Sequence, residues 1–218
     1  MLHLDDEVVA IDKPAGLASI PERDLPLPSA RSWLEAELGQ AVWVVHRLDK
    51  DASGLMLFAR TAEVHRELNL RFEHRQVHKT YQALLVGVVA DENGLIELPL
   101  RQFGSGRVAV DTRRGKPAVT GYKVLERLPA HTLVQASPET GRRHQLRAHF
   151  FSLGHPIAGD GRYGEAAPQA SYPRLLLHAQ ALALGRDSGV KLQLRCAVPE
   201  VFEQVLQGLR DSAPDPAL

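Results

Sequence analysis

The sequence predicts an α+β fold, a largely antiparallel mixed sheet with flanking helices, on three observations. Short runs rich in Val, Leu and Ile recur at residues 7–12, 42–45, 55–59, 81–89, 119–125, 132–136, 175–184 and 190–198, with the length and composition of strands. Helical spacing or a helix-start residue marks only residues 29–38, 61–76, 140–153 and 199–210. These helices fall between groups of strands, whereas a doubly wound chain alternates them strictly. At 218 residues, 44% of them hydrophobic, the chain suits one domain, placed at residues 1–210, with residues 211–218 as a frayed tail.

Each element has a local reason. Residues 7–12 form a first strand turned by Lys13-Pro14-Ala15-Gly16, and residues 17–29, with prolines at 21, 26 and 28, form a loop. Ser29 is placed to cap a helix to Leu38, with Trp33, Leu34 and Leu38 inward and Gly39 as the stop. Strands 42–45 and 55–59 follow, then a helix capped by Thr61 to about Gln76, whose Val64, Leu68 and Phe72 make one apolar stripe. Residues 81–89 read as a long strand, and Asp91-Glu92-Asn93-Gly94 as a turn before residues 95–98. Over 101–117 Arg, Lys and Gly are scattered among strand-like pieces, an exposed basic insertion or hairpin. Residues 119–125 and 132–136 pair around Leu128-Pro129-Ala130-His131. Thr140 and Gly141 open a helix to about Leu153, with Leu146, Phe150 and Leu153 buried and Arg143 and Arg147 on one flank. Residues 154–164 form a packed, glycine-rich turn, residues 175–184 and 190–198 close the sheet, and Pro199 starts a last helix to about Arg210.

Composition narrows the function classes. Apolar runs fall short of the roughly 20 residues needed to span a bilayer, and Asp5, Asp6 and Glu7 interrupt any leader-like start. The expectation is a cytoplasmic protein without a membrane segment. The single Cys196 fits a reducing compartment and reads as core filler. No C-x-x-C or H-E-x-x-H pattern proposes a metal. The formal net charge is zero but unevenly spread: residues 1–40 carry −5 (eight acidic against three basic side chains), residues 101–150 carry +7 (ten basic against three acidic). An anionic polymer responds to such a local basic face more than to the total.

Chemistry concentrates between the strands at 42–45 and 55–59. Nine residues there include His46, Arg47, Asp49, Lys50, Asp51, Ser53 and Gly54, too many and too charged for a hairpin link. Loops held by a rigid scaffold are where reactive groups tend to sit. On composition alone, a solvated loop with an Asp–Arg ion pair is equally open.

His46-Arg47-Leu48-Asp49, followed by Ser53-Gly54 and an apolar strand, resembles the catalytic motif of the RluA-type RNA pseudouridine synthases. Further stretches resemble the same family in the family's order: Lys79-Thr80-Tyr81-Gln82-Ala83, residues 139–149 (Glu-Thr-Gly-Arg-Arg-His-Gln-Leu-Arg-Ala-His) and residues 154–164 (Gly-His-Pro-Ile-Ala-Gly-Asp-Gly-Arg-Tyr-Gly). Asp12-Lys13-Pro14-Ala15-Gly16, Gly115-Lys116-Pro117-Ala118-Val119-Thr120 and Leu177-His178-Ala179 also match, so the likeness runs from about residue 8 to residue 198. It implies the pseudouridine synthase fold, with a central RNA-binding cleft, and isomerisation of specific uridines to pseudouridine in ribosomal or transfer RNA. That reaction breaks the N-glycosidic bond, rotates the freed uracil and rejoins it through carbon, and it needs no cofactor.

The resemblance also assigns residues. Asp49 matches the catalytic aspartate, which attacks carbon or stabilises a cationic sugar; C1′ of the ribose and C6 of the base both stay open as its target. Arg147 matches the arginine that ion-pairs this carboxylate and keeps it ionised where water is excluded. Tyr81 matches the tyrosine that packs on the base. A base in folded RNA must leave its stack to be reached, and Arg47 resembles the residue that fills the vacated space. Asp51 reads as surface, and Ala52 stands where the motif usually has Thr, so a loop-bracing hydroxyl is missing while Ser53 remains. Further expected RNA contacts are His46, Lys79, Arg113, Arg114, Lys116, Arg142, Arg143 and His144, with a purely structural His144 equally open. The expected partner is an RNA stem-loop, bound by a monomer with no obligate protein partner. Larger relatives carry an S4-like domain ahead of the catalytic strands; here those strands begin within about ten residues of Met1, so substrate choice falls to loops such as 101–117. Two rivals are an RNA-binding module without catalysis and a metal-dependent hydrolase using His144, His149, His155 and Asp160, which requires convergent ligands.

Overall fold

The computed structural model describes residues 1–21, 27–165 and 169–212. The end of the expected tail and the middle of the 17–29 loop lie outside the described residues. Along the chain run β1 (His3–Leu4), β2 (Val8–Lys13), α1 (Ala30–Leu38), β3 (Trp43–Val44), β4 (Ser53–Ala59), α2 (Ala62–Glu73), β5 (Val77–Val86), β6 (Asn93–Ile96), β7 (Leu100–Gln102), β8 (Val108–Val110), β9 (Thr120–Leu128), β10 (His131–Pro138), α3 (Gln145–Ser152), β11 (Leu177–Gly185), β12 (Lys191–Arg195) and α4 (Glu200–Asp211). Among the described residues β4 and β11 pair in parallel, while β1–β2, β2–β4, β3–β4, β5–β10, β9–β10, β6–β9, β7–β8 and β11–β12 pair antiparallel, so the fold is α+β with a mixed, mostly antiparallel sheet. The chain divides into two compact units, Met1–Thr80 with His178–Ala197, and Tyr81–Leu177 with Val198–Leu218.

In the first unit β4 is the central strand. One edge pairs with β2, Val8 facing Ala59 through to Lys13 facing Gly54. The other edge is shared: β11 lies parallel to its start and β3 antiparallel to its end. All seven residues of β4 are buried, which explains an apolar run without polar alternation. Leu55, Leu57, Val64, Leu68, Val77, Leu182 and Leu194 share one core with the half-buried Phe72 of α2. Thr61 caps α2 by accepting the Val64 N–H at 3.2 Å. Ser29 caps α1 in a reciprocal capping box with Ser32, and Gly39 ends it in the left-handed conformation. Leu34 is inward as expected, but Trp33 is 46% exposed. One residue turns a helix by 100°, and this helix buries only a narrow stripe.

In the second unit β5, β10, β9 and β6 lie side by side in that order, each pair antiparallel, and of these pairs only β9 and β10 are consecutive in the chain. The basic stretch is the hairpin β7–β8, with Leu100 facing Val110. Helix α4 buries Phe202 and Leu206 against Leu84, Leu128 and Leu133, each burial stabilising by about 1.5–3 kcal/mol. Arg210 of α4 grips Glu126 of β9 through Nε (2.9 Å) and Nη2 (2.6 Å).

Helix α3 departs from the expectation at both ends. It starts at Gln145, not Thr140, and ends at Ser152, which leaves Leu153 exposed. The late start has a side-chain cause. Thr140 Oγ1 accepts the Val119 N–H and donates to Gln145 Oε1 (2.7 Å), while Gln145 Nε2 donates to the Val119 carbonyl (2.9 Å). Residues 140–144 are thereby pinned to β9, and His144, at φ 50°, is left-handed and cannot continue a helix. Arg143 and Arg147 consequently share no helix flank: Arg143 is exposed ahead of α3, and Arg147 is buried within it.

Candidate active site

The first unit presents Asp49 on residues 45–52, the loop between β3 and β4, closed at its base by the pairing of Val44 with Phe58. Polar side chains fasten this loop by its backbone. Lys13 is 0% exposed, and its Nζ donates to the carbonyls of Pro14 (2.9 Å), Leu17 (2.8 Å) and Lys50 (3.1 Å). A buried ammonium needs such acceptors, because losing its hydration is otherwise prohibitive. Ser19 donates to the Leu48 carbonyl (2.7 Å) and accepts the Leu48 N–H (3.0 Å). His46 Nε2 accepts the Leu57 N–H at 2.9 Å while its ring stacks on Phe72. Between these anchors the Asp49 carbonyl accepts the Ala52 N–H, and the Asp49 side chain is half-buried with Arg47 and Lys50 exposed beside it.

His46 is neutral in this setting. Burial, reinforced by the nearby Lys79 charge, pushes its pKa down to about 3, consistent with a ring nitrogen that accepts a backbone proton. That bond makes the ring a loop anchor. Burial also lowers the Lys79 amine to about 8. The brace lost with Ala52 is supplied next door, where Ser53 Oγ lies 2.9 Å from His178 Nδ1 and His178 Nε2 faces the Cys196 carbonyl at 3.4 Å. Gly54 is required here: at φ +115° a Cβ would stand 2.3 Å from the Ala179 carbonyl oxygen, so any side chain would push β11 off β4. Cys196 is buried, as expected of core filler, and burial pushes its thiol up to about 12.

The second unit holds Tyr81 and Arg147. Tyr81 stands half-buried on β5 opposite Ala136. Arg147, 3% exposed, donates from Nε and Nη2 to the two oxygens of Asp160, both at 2.7 Å. This two-point pair is short, and two parallel bonds fix the guanidinium in rotation as well as position. Asp160 is fixed in turn. Its Oδ1 accepts the N–H groups of Arg162 (3.0 Å) and Tyr163 (3.1 Å), and Gln169 Oε1 accepts the N–H of Asp160 itself. Gly159 allows the turn, since a Cβ there would lie 1.8 Å from the Arg174 carbonyl oxygen. The sequence placed Asp160 in a packed turn but carried no sign of its partner, thirteen residues away on a helix whose start was misplaced.

The basic candidates fall into two groups. Arg113, Arg114 and Lys116 are exposed at the end of the β7–β8 hairpin. Asp111 Oδ1 accepts the N–H groups of Arg113 (3.0 Å) and Arg114 (2.9 Å), and these bonds, with Arg101 alongside, hold the Asp111 carboxyl below the usual range. The turn thus points two arginine side chains outward from a fixed backbone. Arg142 and Arg143 are exposed ahead of α3, while His144 is buried with Nδ1 3.1 Å from the Tyr163 hydroxyl. That geometry supports the structural reading of His144. The four residues weighed as metal ligands are engaged apart from one another: His144 with Tyr163, His149 with Thr120 and the Leu98 carbonyl, His155 with the Val86 carbonyl, and Asp160 with Arg147. Among the described residues no three metal-binding side chains gather.

Comparison with known proteins agrees with these motifs. The family model of RNA pseudouridylate synthases matches residues 7–152. The dual-specificity RNA pseudouridine synthase RluA of Pasteurella multocida is 43% identical over 187 residues, covering 84% of this chain and 85% of that protein. The ribosomal large subunit pseudouridine synthase D of Pseudomonas aeruginosa is 36% identical over 231 residues, covering 96% of this chain and 71% of its own. Among solved structures, human RNA pseudouridylate synthase domain containing 4 superposes with a TM-score of 0.78 at 30% identity, covering 96% of this chain and 92% of that one. The chain therefore belongs to the RNA pseudouridylate synthase family, with RluA-type relatives over most of its length.

Proposed function

We propose that this chain is an isomerase that converts specific uridines in structured RNA to pseudouridine, with Asp49 as its catalytic carboxylate. The observation that carries the reading is the fastening of the Asp49 loop by Lys13, Ser19 and His46, within a chain whose family performs this chemistry. A reactive group held by backbone anchors is pre-organised, so little ordering remains to be done when substrate arrives.

In the reaction the bond from N1 of uracil to C1′ breaks, the base turns, and C5 bonds to C1′, with C5 losing a proton and N1 gaining one. Asp49 supplies the anionic oxygen, either as nucleophile or as partner to the positive sugar. Arg147, oriented by Asp160, matches the arginine that the family resemblance assigns as counter-charge, and Tyr81 offers a flat face to the base. Arg47, exposed on the same loop as Asp49, fills the gap left by the extruded nucleotide. Lys79, the exposed Arg113, Arg114 and Lys116, and Arg142 and Arg143 meet phosphates. The enzyme acts as a cytoplasmic monomer on a ribosomal or transfer RNA stem-loop. Incubation with an unmodified transcript followed by pseudouridine mapping tests this: a mobility shift without isomerised uridine would reduce the protein to a binding module.

A further inference from the structure

One buried side chain, Tyr163, lies between the basic hairpin and Arg147. It is 1% exposed and shares a cluster with Leu100 and Val108 of the hairpin strands and Ala148 of α3. Its ring lies under the Arg147 guanidinium, 5.2 Å from centroid to Cζ, and also under that of Arg107 at 5.5 Å. Its hydroxyl oxygen accepts the Val108 N–H at 3.0 Å and lies 3.1 Å from His144 Nδ1. Its backbone N–H is held by Asp160, the carboxylate that grips Arg147.

We propose that Tyr163 is a positioning residue that couples the basic β7–β8 hairpin to Arg147, so that RNA seated on the hairpin holds the arginine in its working orientation. Three links make the connection. The hydroxyl ties the backbone of β8, the ring carries the guanidinium, and the main chain shares an anchor with it. A displacement of the hairpin relative to α3 must break the hydroxyl's bond to Val108 or tilt the ring, and close-packed interiors transmit such a shift instead of absorbing it. Two arginines on one aromatic ring, one from the hairpin side and one from α3, add a second physical connection. The inference rests on the proposed roles of Arg147 and of the hairpin.

The test is a cycle of Tyr163→Phe against the hairpin variant Arg113→Glu with Arg114→Glu, read as the single-turnover rate of pseudouridine formation at saturating RNA. Phe keeps the ring beneath both guanidinium groups and removes only the hydroxyl. With the native hairpin, Tyr163→Phe is expected to lower the rate about tenfold, and with the reversed hairpin by less than about threefold, the size of effect that direct coupling gives. Equal factors in the two backgrounds overturn the coupling, because a merely structural tyrosine lowers the amount of folded enzyme alike in both. Amide exchange at Val108 in the RNA-free enzyme gives a second readout. It should be slow in the native protein and at least about tenfold faster in Tyr163→Phe; unchanged exchange overturns the hydroxyl link even if the variant is poorly active. Should the charge reversal leave RNA affinity unaltered, or should Arg147→Met stay active, the underlying reading fails, which equal factors alone would not imply.

Discussion

In the first unit the loop that bears Asp49 is held by its backbone. Lys13 and Ser19 bond to main-chain groups of Lys50 and Leu48, the loop's own His46 ring accepts the Leu57 N–H of β4, and β3 and β4 clamp the ends. In the second unit Arg147 is held by its side chain, through Asp160 at the fork and Tyr163 at the face. The difference follows from the two groups. A carboxylate on a short stem is aimed once its Cα is fixed, so anchoring the backbone is sufficient. An arginine has four rotatable bonds before its charge, so a fixed helix still leaves the guanidinium unplaced until something grips it. Backbone anchors tolerate a change in the reactive residue; a side-chain cradle is part of the charge balance and does not.

The predictions test that contrast, beginning with the largest effect. Asp49→Asn should abolish pseudouridine formation while thermal stability stays near native and RNA affinity within a few-fold; near-normal product formation would refute the catalytic assignment. Arg147→Met should lose activity and also about 3–5 kcal/mol of stability, because Asp160 is left as a buried, unpaired charge. Adding Asp160→Asn to it removes that charge and keeps an acceptor for the Arg162 and Tyr163 N–H groups, so denaturant midpoints should recover about 2 kcal/mol while activity stays lost. If the double variant is no more stable than the single one, the pair is not what makes the arginine structurally costly to change.

Lys13→Met addresses the other unit. It should cost about 3 kcal/mol, since three carbonyls lose a charged donor, and it should lower turnover per folded molecule by loosening the Asp49 loop. Retained turnover at reduced stability would show that the loop does not need its lysine anchor. Charge reversal at Arg113 and Arg114 should weaken RNA binding and make its salt dependence shallower by about two, with turnover at saturation reporting the coupling through Tyr163.

The smallest effect is on pH. The Lys79 amine is lowered by burial from 10.5 to about 8, so the folded protein releases this proton before the unfolded chain does. Stability contributed at this position therefore rises as pH climbs from about 8 to about 10.5. Lys79→Met should be at least as stable as the native protein at pH 7, with the gap closing across that window. RNA affinity should fall as pH passes about 8 and the amine discharges, and it should not fall there in Lys79→Met.

Much of the scaffold was readable from local rules. Ser29 and Gly39 bounded α1, Thr61 began α2, Pro199 introduced α4, and of the insertion or hairpin that the low hydrophobicity of 101–117 left open, the chain forms the hairpin. In each case the signal and its consequence lie within a few residues. Helix α3 was misread because its start depends on Thr140 and Gln145 bonding to Val119, some twenty residues earlier in the chain. Trp33 was placed inward because an amphipathic pattern tells how wide an apolar stripe is, not how much of it a neighbouring element covers.

The amino-acid sequence by itself determined most of the elements and the family, since these rest on spacing and on residue types in order, and it supplied the acid proposed for the chemistry. Only the tertiary structure decided which groups hold that chemistry in place: Lys13 under the loop, His46 as a neutral anchor, Asp160 gripping Arg147, Tyr163 beneath it. The physical reason is that a buried charge is satisfied by whichever partners folding brings within about 3 Å. Separation along the chain places no constraint on that choice, and so leaves no mark from which it could be read.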